Sequence, residues 1–372
     1  MKRDQKFKFG IEHEVALRAN KFLDYRNLNS DILNKVVQKF PVYQSDYPFL
    51  RIGDLGIKVK RIYIEGLEIF DNKGYLIKQY PKGFELRTPL GYYLEEVVQH
   101  LYQNFQTLKE ELFKFKMSPT FISFNPYLDK VRVKITLHKF EKKLRREDPG
   151  RKTAPFTLLS YGPDLNISYD ELDDGDIFNI VQKLNYYTPF IIPFSFSSPF
   201  YRGKLWEGQS IRCFLRLKIR PAVVGFIKDE KLIKKLNNVW LLNKARIESE
   251  QGRIEYKAFD TVQDLKIYKG ALALLKGLIL DTKLNQKTIF LDQKLIEESS
   301  KYGFTSKIIF DGAYEMLHRA KEALKNDEDK FYLNYLFENL KSKQNLSIIM
   351  IKEYEQLKSV EKVLERHNNF IK

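Results

Sequence analysis

Residues 6–17 read KFKFGIEHEVAL. Phe7, Phe9, Ile11 and Val15 recur at odd positions, while Glu12 and Glu14 occupy the positions between. A period of two is the mark of a β-strand with one face in the core. His13 falls on the apolar face and is expected there as a satisfied core or edge histidine. The opposite face carries two carboxylates, with Cα atoms about 6.5–7 Å apart on one rigid element. That spacing lets two oxygen donors reach one hard cation or two neighbouring ones. On a single strand, a solvated polar face explains the same pattern.

The pattern recurs, however. In FELRTP (84–89), Glu85 and Arg87 oppose Phe84 and Leu86. In DLNISY (164–169), Asp164, Asn166 and Ser168 oppose Leu165, Ile167 and Tyr169. In RIEYKAFD (253–260), Glu255 and Lys257 oppose Ile254, Tyr256 and Ala258. Four strands thus offer the carboxylates, amide and cations of a metal–phosphate site. A curved antiparallel sheet with these faces inward would form a polar bowl. Spacing along the chain does not say whether the faces converge.

Around these segments the chain alternates strands and helices. Further strands are expected at 56–70, 130–140 and 211–221, and DNKG (72–75) marks a turn. Helical periodicity appears at 94–115, where Leu94, Val97, Val98, Leu101, Phe105 and Leu108 make an apolar stripe. It returns at 176–190 and 261–282, and from about 290 it continues through 308–325, 328–342 and 347–367. The expected class is α+β: a curved, mainly antiparallel sheet forming a bowl, with helices on its outer face. The division is a catalytic domain at 1–285 and a helical C-terminal extension at 286–372 packed on it.

The 372 residues are 43% hydrophobic and carry a net charge of +16, which favours anionic partners. No apolar run has the length of a membrane span and no signal peptide is visible, so a cytoplasmic location and no membrane partner are expected. Cys213 is the single cysteine, which excludes an internal disulfide and a thiolate metal cluster; its apolar surroundings read as core. His100, His138, His318 and His367 form no zinc-type pair, and neither a Walker loop nor G-x-G-x-x-G is present. A nucleotide would have to be held by metal and basic side chains. The KFEKKLRRE run (139–147) reads as a solvated helix face or a loop.

Taken in order, the segments resemble the glutamate–cysteine ligases and related carboxylate–amine ligases, which share the glutamine synthetase-like fold. FGIEHEVALR resembles their first strand, FELRTP their second acidic strand, and YGPDLNISY their central strand. SFSSPFYRGKLWEGQSIRCFLRLKIRP (194–221) and GRIEYKAFDTVQDL (252–265) resemble two later segments. The likeness runs from residue 7 to about 320. It implies ATP with two or three Mg²⁺ or Mn²⁺ ions. It assigns Glu12, Glu14, Glu85 and Glu255 as metal ligands, with Asn166 beside them. Asp164, Asn166 and Lys257 would contact the nucleotide, Lys257 facing the transferred phosphate. Arg212 would bind a carboxylate or phosphate of the acyl substrate, and Arg246 matches a further family arginine.

The implied reaction joins a carboxylate, glutamate by analogy, to an amine such as cysteine through an acyl phosphate. The partners would be small molecules, the oligomeric state is open, and nucleic acid ranks last. The alternatives are a phosphotransferase of the same fold and a catalytically inactive or nucleic-acid-binding relative. The sequence departs from the family in three places. Asp164 stands for a common histidine and Lys257 for arginine. IEESSKYG (296–303) replaces an arginine-rich run, with Glu298 at an arginine position and Lys301 retained.

Overall fold

The computed structural model describes residues 6–42, 60–133, 137–147, 149–235, 240–245 and 248–371. Strand β1 (Phe7–Arg18) is followed by β2 (Phe22–Leu23), α1 (Ser30–Lys39), β3 (Ile62–Phe70), β4 (Leu76–Arg87), α2 (Leu94–Phe113) and β5 (Ser118–Thr120). Then come α3 (Lys139–Glu147), β6 (Pro163–Tyr169), α4 (Asp174–Ile191), β7 (Phe200–Tyr201), β8 (Lys204–Leu205), α5 (Ile211–Arg216), β9 (Val223–Ile227), α6 (Glu230–Lys235), β10 (Leu242–Lys244) and β11 (Arg253–Tyr256). The remainder is helical: α7 (Leu265–Leu280), α8 (Gln293–Tyr302), α9 (Lys307–Ala323), α10 (Leu333–Ser342), α11 (Leu346–Leu357) and α12 (Val360–Arg366).

The strands form a curled sheet in the order β10-β9-β11-β6-β1-β4-β3, with β2 and β5 also paired to β1. Every pair is antiparallel except β9–β10. The apolar faces read from the alternation are buried: Phe9, Ile11 and Val15 of β1, Phe84 and Leu86 of β4, Leu165 and Ile167 of β6, Ile254 and Tyr256 of β11. They lie under α2, α4 and α7, so helices cover one face and leave the other to the polar side chains. The stripe of α2 is buried as its spacing requires. Side-chain caps start α4 at Asp173, α7 at Asp264 and α8 at Asp292.

The helices after residue 286 share one hydrophobic cluster with the sheet. α9 and α10 pack on α7, and α9 also on α4. The tail returns to the sheet's end: the Leu265 amide donates to the Ile371 carbonyl (3.1 Å), and the Phe121 amide to that of His367 (2.8 Å).

Two expected strands are not found among the described residues. Residues 211–216 form α5, because Ser210 caps the segment by accepting a hydrogen bond from the Cys213 amide (3.0 Å). The alternation in IRCFLRLKI arises from a segment buried on several sides, with Ile211, Arg212, Cys213 and Arg216 all inside. Residues 130–133 are irregular, 134–136 lie outside the described residues, and Lys139 begins α3. The KFEKKLRRE run is therefore a helix. No helix of the described residues is long and apolar enough to cross a membrane.

Candidate active site

Register brings the acidic faces together. Residues directly opposite across a ladder share a face. Glu14 of β1 pairs with Glu85 of β4, which pairs with Tyr63 of β3. Glu12 lies between Arg87 of β4 and Asp164 of β6. Asn166 of β6 lies between Gly10 of β1 and Glu255 of β11. Three stacked rows of polar side chains thus cross the middle of one concave face. The pairings that make them join segments far apart in the chain.

Within these rows the carboxylates form two groups. Glu12, Asp164 and Glu255 each offer an oxygen within 4.8 Å of the others, and so do Glu14, Glu65 and Glu85. Protein cations thread between them. Lys257 Nζ bonds Asp164 Oδ2 and lies 2.9 Å from Glu255 Oε2. Arg87 bridges Glu12 (3.2 Å) and Glu85 (3.1 Å), joining the two groups. Arg253 lies 3.5 Å from Glu12 and donates to Asn166 Oδ1 at 3.4 Å. Lys82 bonds Glu14 at 2.6 Å. Of the residues expected at the site, Glu12, Glu14, Glu85, Asp164, Asn166, Glu255 and Lys257 share this face. Glu65, Lys82 and Arg253 join them.

Electrostatics sort these groups. Burial pushes the Asp164 carboxyl up to about 6, against the pull of Lys257. Burial likewise raises Glu65 to about 7, with Lys82 opposing and Glu14 adding to the rise. Glu85 is held well above the usual carboxylate range by burial, which Arg87 offsets only in part. Glu255 goes the other way: burial alone would raise it, but Lys257 and Arg253 together bring it down to about 2. Burial works against the charge of Lys257, yet Asp164 and Glu255 outweigh it and raise its pKa. Carboxylates and cations thus alternate across the face, and the raised Glu65 and Glu85 carboxyls bring their charges close to balance.

Arg212 sits differently from its expected role. It is 3% exposed, close enough to Glu14 and Asp164 to feel their charge, but none of its donors is left facing the open bowl. Its guanidinium donates to Ser160 Oγ (2.9 Å), to the carbonyls of Phe259 (2.9 Å), Ala258 (3.3 Å) and Lys257 (3.2 Å), and to Asp260 (3.1 Å). Facing protein acceptors in this way, it clamps the segment that follows β11 and so fixes the base of Lys257. Gly162 makes room for it, since a Cβ there would fall 2.1 Å from Arg212 Nη2. Arg246 lies outside the described residues. Lys301 is held outside these rows by Glu297 (2.9 Å) and Glu207 (3.2 Å). His13 is buried as expected, but neither ring nitrogen has a hydrogen-bond partner among the described residues, so it is not the satisfied histidine that alternation suggested.

The signal for Arg253 was in the sequence, since it shares parity with Glu255 and Lys257. Glu65 shares parity with Tyr63, on a strand whose alternation alone does not single it out. Lys82 gave a false signal, because strict alternation puts it with Phe84 and Leu86 in the core.

No protein-family model matches the sequence, and no curated protein matches it. Solved structures do. A bifunctional glutathione synthetase from Pasteurella multocida superposes with a TM-score of 0.61 at 12% identity, over 98% of this chain and 52% of that one. The chain thus spans about half the length of that protein. The glutamate–cysteine ligase from Francisella tularensis, solved in complex with AMP, superposes with a TM-score of 0.53 at 11% identity, over 98% of this chain and 88% of that one. At such identity the likeness speaks for fold. The chain therefore has the fold of these two proteins, the one that its sequence resemblance to the carboxylate–amine ligases implied.

Proposed function

We propose that the chain is an ATP-dependent carboxylate–amine ligase of the cytoplasm, activating a glutamate-like carboxylate and joining it to an amine such as cysteine. The observation that carries this reading is the Glu12–Asp164–Glu255 group facing Lys257 on the floor of a bowl with a ligase fold.

The donor set fits a hard divalent cation. All its members are carboxylate oxygens from rigid strands, and Lys257, partly open to solvent, is the cation an ion would displace from Asp164 and Glu255. Glu12, Asp164 and Glu255 would hold the Mg²⁺ or Mn²⁺ ion nearest Lys257, and Glu14 and Glu85 line the neighbouring group. Such an ion supplies charge neutralisation for the triphosphate and polarises the transferred phosphoryl group.

The protein's own residues do the positioning. Lys257, fixed at its base by Arg212, places one ammonium where charge grows on the transferred phosphoryl oxygens. Arg87 and Arg253, on opposite sides of Glu12, hold its carboxylate in place. Asn166 orients the guanidinium of Arg253. In the reaction, a substrate carboxylate oxygen bonds to the γ-phosphorus as the bond to ADP breaks. The amine nitrogen then bonds to the acyl carbon, phosphate leaves, and the ammonium proton passes to solvent. No covalent bond to the protein is required.

Mass spectrometry of mixtures of ATP, Mg²⁺ and amino acids tests this. The expected outcome is ADP together with a product lighter than its two substrates by one water. Unconsumed ATP across the panel, or an acceptor that gains a phosphoryl group, overturns the reading.

A further inference from the structure

We propose that Lys82 takes the place of a divalent ion in the Glu14–Glu65–Glu85 group, so that the bowl loads a single metal ion, at Glu12–Asp164–Glu255. The inference rests on the metal–nucleotide reading above and narrows it.

Lys82 is 1% exposed, in a group that otherwise resembles a second cation site. Its ammonium has oxygen acceptors on three sides: Glu14 Oε1 at 2.6 Å, the Ser160 carbonyl at 2.8 Å and Glu65 Oε1 at 3.7 Å. The Tyr161 ring lies 5.4 Å from it. Two of the ammonium's donors are hydrogen-bonded, to Glu14 and the Ser160 carbonyl, and the Glu65 carboxylate adds an ion pair on the third side, an oxygen surround of the kind a hard cation takes. An ion entering the group would face a fixed like charge at contact range, and that charge has no water to move into. Lys257 differs: its side chain is 20% exposed, so solvent can receive its ammonium when an ion reaches Asp164 and Glu255.

A backbone irregularity delivers Lys82 to this position. Glu65 pairs with Gly83 and Gly66 with Pro81, leaving Lys82 as an extra residue in the ladder. Such a bulge re-aims the side chain it carries, here from the core face onto the acidic one. The bulge depends on Gly66: a Cβ there would lie 2.1 Å from the Tyr80 carbonyl oxygen. The sheet is therefore built to place a cation among these carboxylates.

Electron paramagnetic resonance with Mn²⁺ and a non-hydrolysable ATP analogue counts the ions. The wild-type chain is expected to bind one Mn²⁺ tightly and K82M two. Should K82M fail to fold, E65Q decides the matter: it is expected to leave wild-type Mn²⁺ affinity within about twofold, whereas E255Q weakens it by more than about tenfold. Two tight ions in the wild type, a count of one in folded K82M, or a tenfold loss in E65Q each overturn the proposal while leaving the metal–nucleotide reading intact. No bound Mn²⁺ in any of the proteins overturns both.

Discussion

Lys257 reaches from the end of β11 to Asp164 on the neighbouring strand and shares its ammonium with Glu255 at 2.9 Å. On the proposed reading, a divalent ion entering beside Glu12 takes Asp164 from that lysine and needs it deprotonated. Burial holds Asp164 at about 6, so below that pH an ion also has to displace a proton. The sign follows: apparent ion affinity falls as pH falls through about 6 and levels off above it. Titration with Mn²⁺ is expected to show a loss approaching about tenfold per pH unit on the acid side. D164N is expected to flatten this limb and bind Mn²⁺ more weakly throughout. A pH-independent affinity in the wild type sets aside Asp164 as a ligand.

Asp260 and Arg212 are a buried pair with mechanical consequences. Asp260 is 0% exposed and accepts from the Ser197 amide (3.1 Å), Ser198 Oγ (2.9 Å), Ser210 Oγ (2.9 Å) and Arg212 (3.1 Å). Removing either partner leaves an uncompensated buried charge, a loss of about 3–5 kcal/mol. D260A and R212A are each expected to lower stability by this amount in urea titrations, and the double variant by much less than the sum. Additive losses would mean that the two side chains do not act as a unit.

These cases show how far local pattern reaches. Period two revealed the acidic faces of β1, β4, β6 and β11 because each strand has one buried side, and side-chain parity is then a local property. Convergence was not legible, since it depends on register between strands that lie from about 70 to 150 residues apart in the chain. The substrate role of Arg212 is implied by the family resemblance alone, and residue type carries no information on its burial. Only the α5 turn begun by Ser210 points it inward. Lys82 was hidden by the rule that exposed its neighbours, for one bulge reverses parity on half of β4.

The bulge gives a direct test. In G66A the new methyl would meet the Tyr80 carbonyl oxygen at 2.1 Å and the Pro81 Cα at 2.8 Å, both backbone atoms that cannot step aside. A loss of about 1–3 kcal/mol is expected, typical of overpacking in a fixed frame. G175A is the control. It lies in the first turn of α4, where a Cβ meets only a side-chain atom, the capping Asp173 Oδ1 at 3.2 Å, and it is expected to cost clearly less than G66A. Equal effects of the two substitutions would argue against a rigid bulge.

His13 supplies an acid limit to stability that is independent of the bowl. It is 1% exposed and ringed by Phe121, Tyr268 and Phe370 with ring centroids at 6.1, 5.9 and 5.7 Å. Burial lowers its pKa from 6.5 to about 4. The unfolded chain therefore binds more protons than the folded one between these values, and stability rises with pH across that window. The contribution is fully present above 6.5 and is lost as pH falls towards 4, amounting to about 3 kcal/mol. H13F keeps an aromatic ring in the pocket and removes the titration. The difference in unfolding free energy between H13F and wild type is expected to be flat above about pH 7 and to grow in favour of H13F below about pH 6. Carboxylates that titrate in both proteins cancel in this difference. A difference that stays flat down to about pH 4 would mean that the imidazole accepts its proton without opening the core.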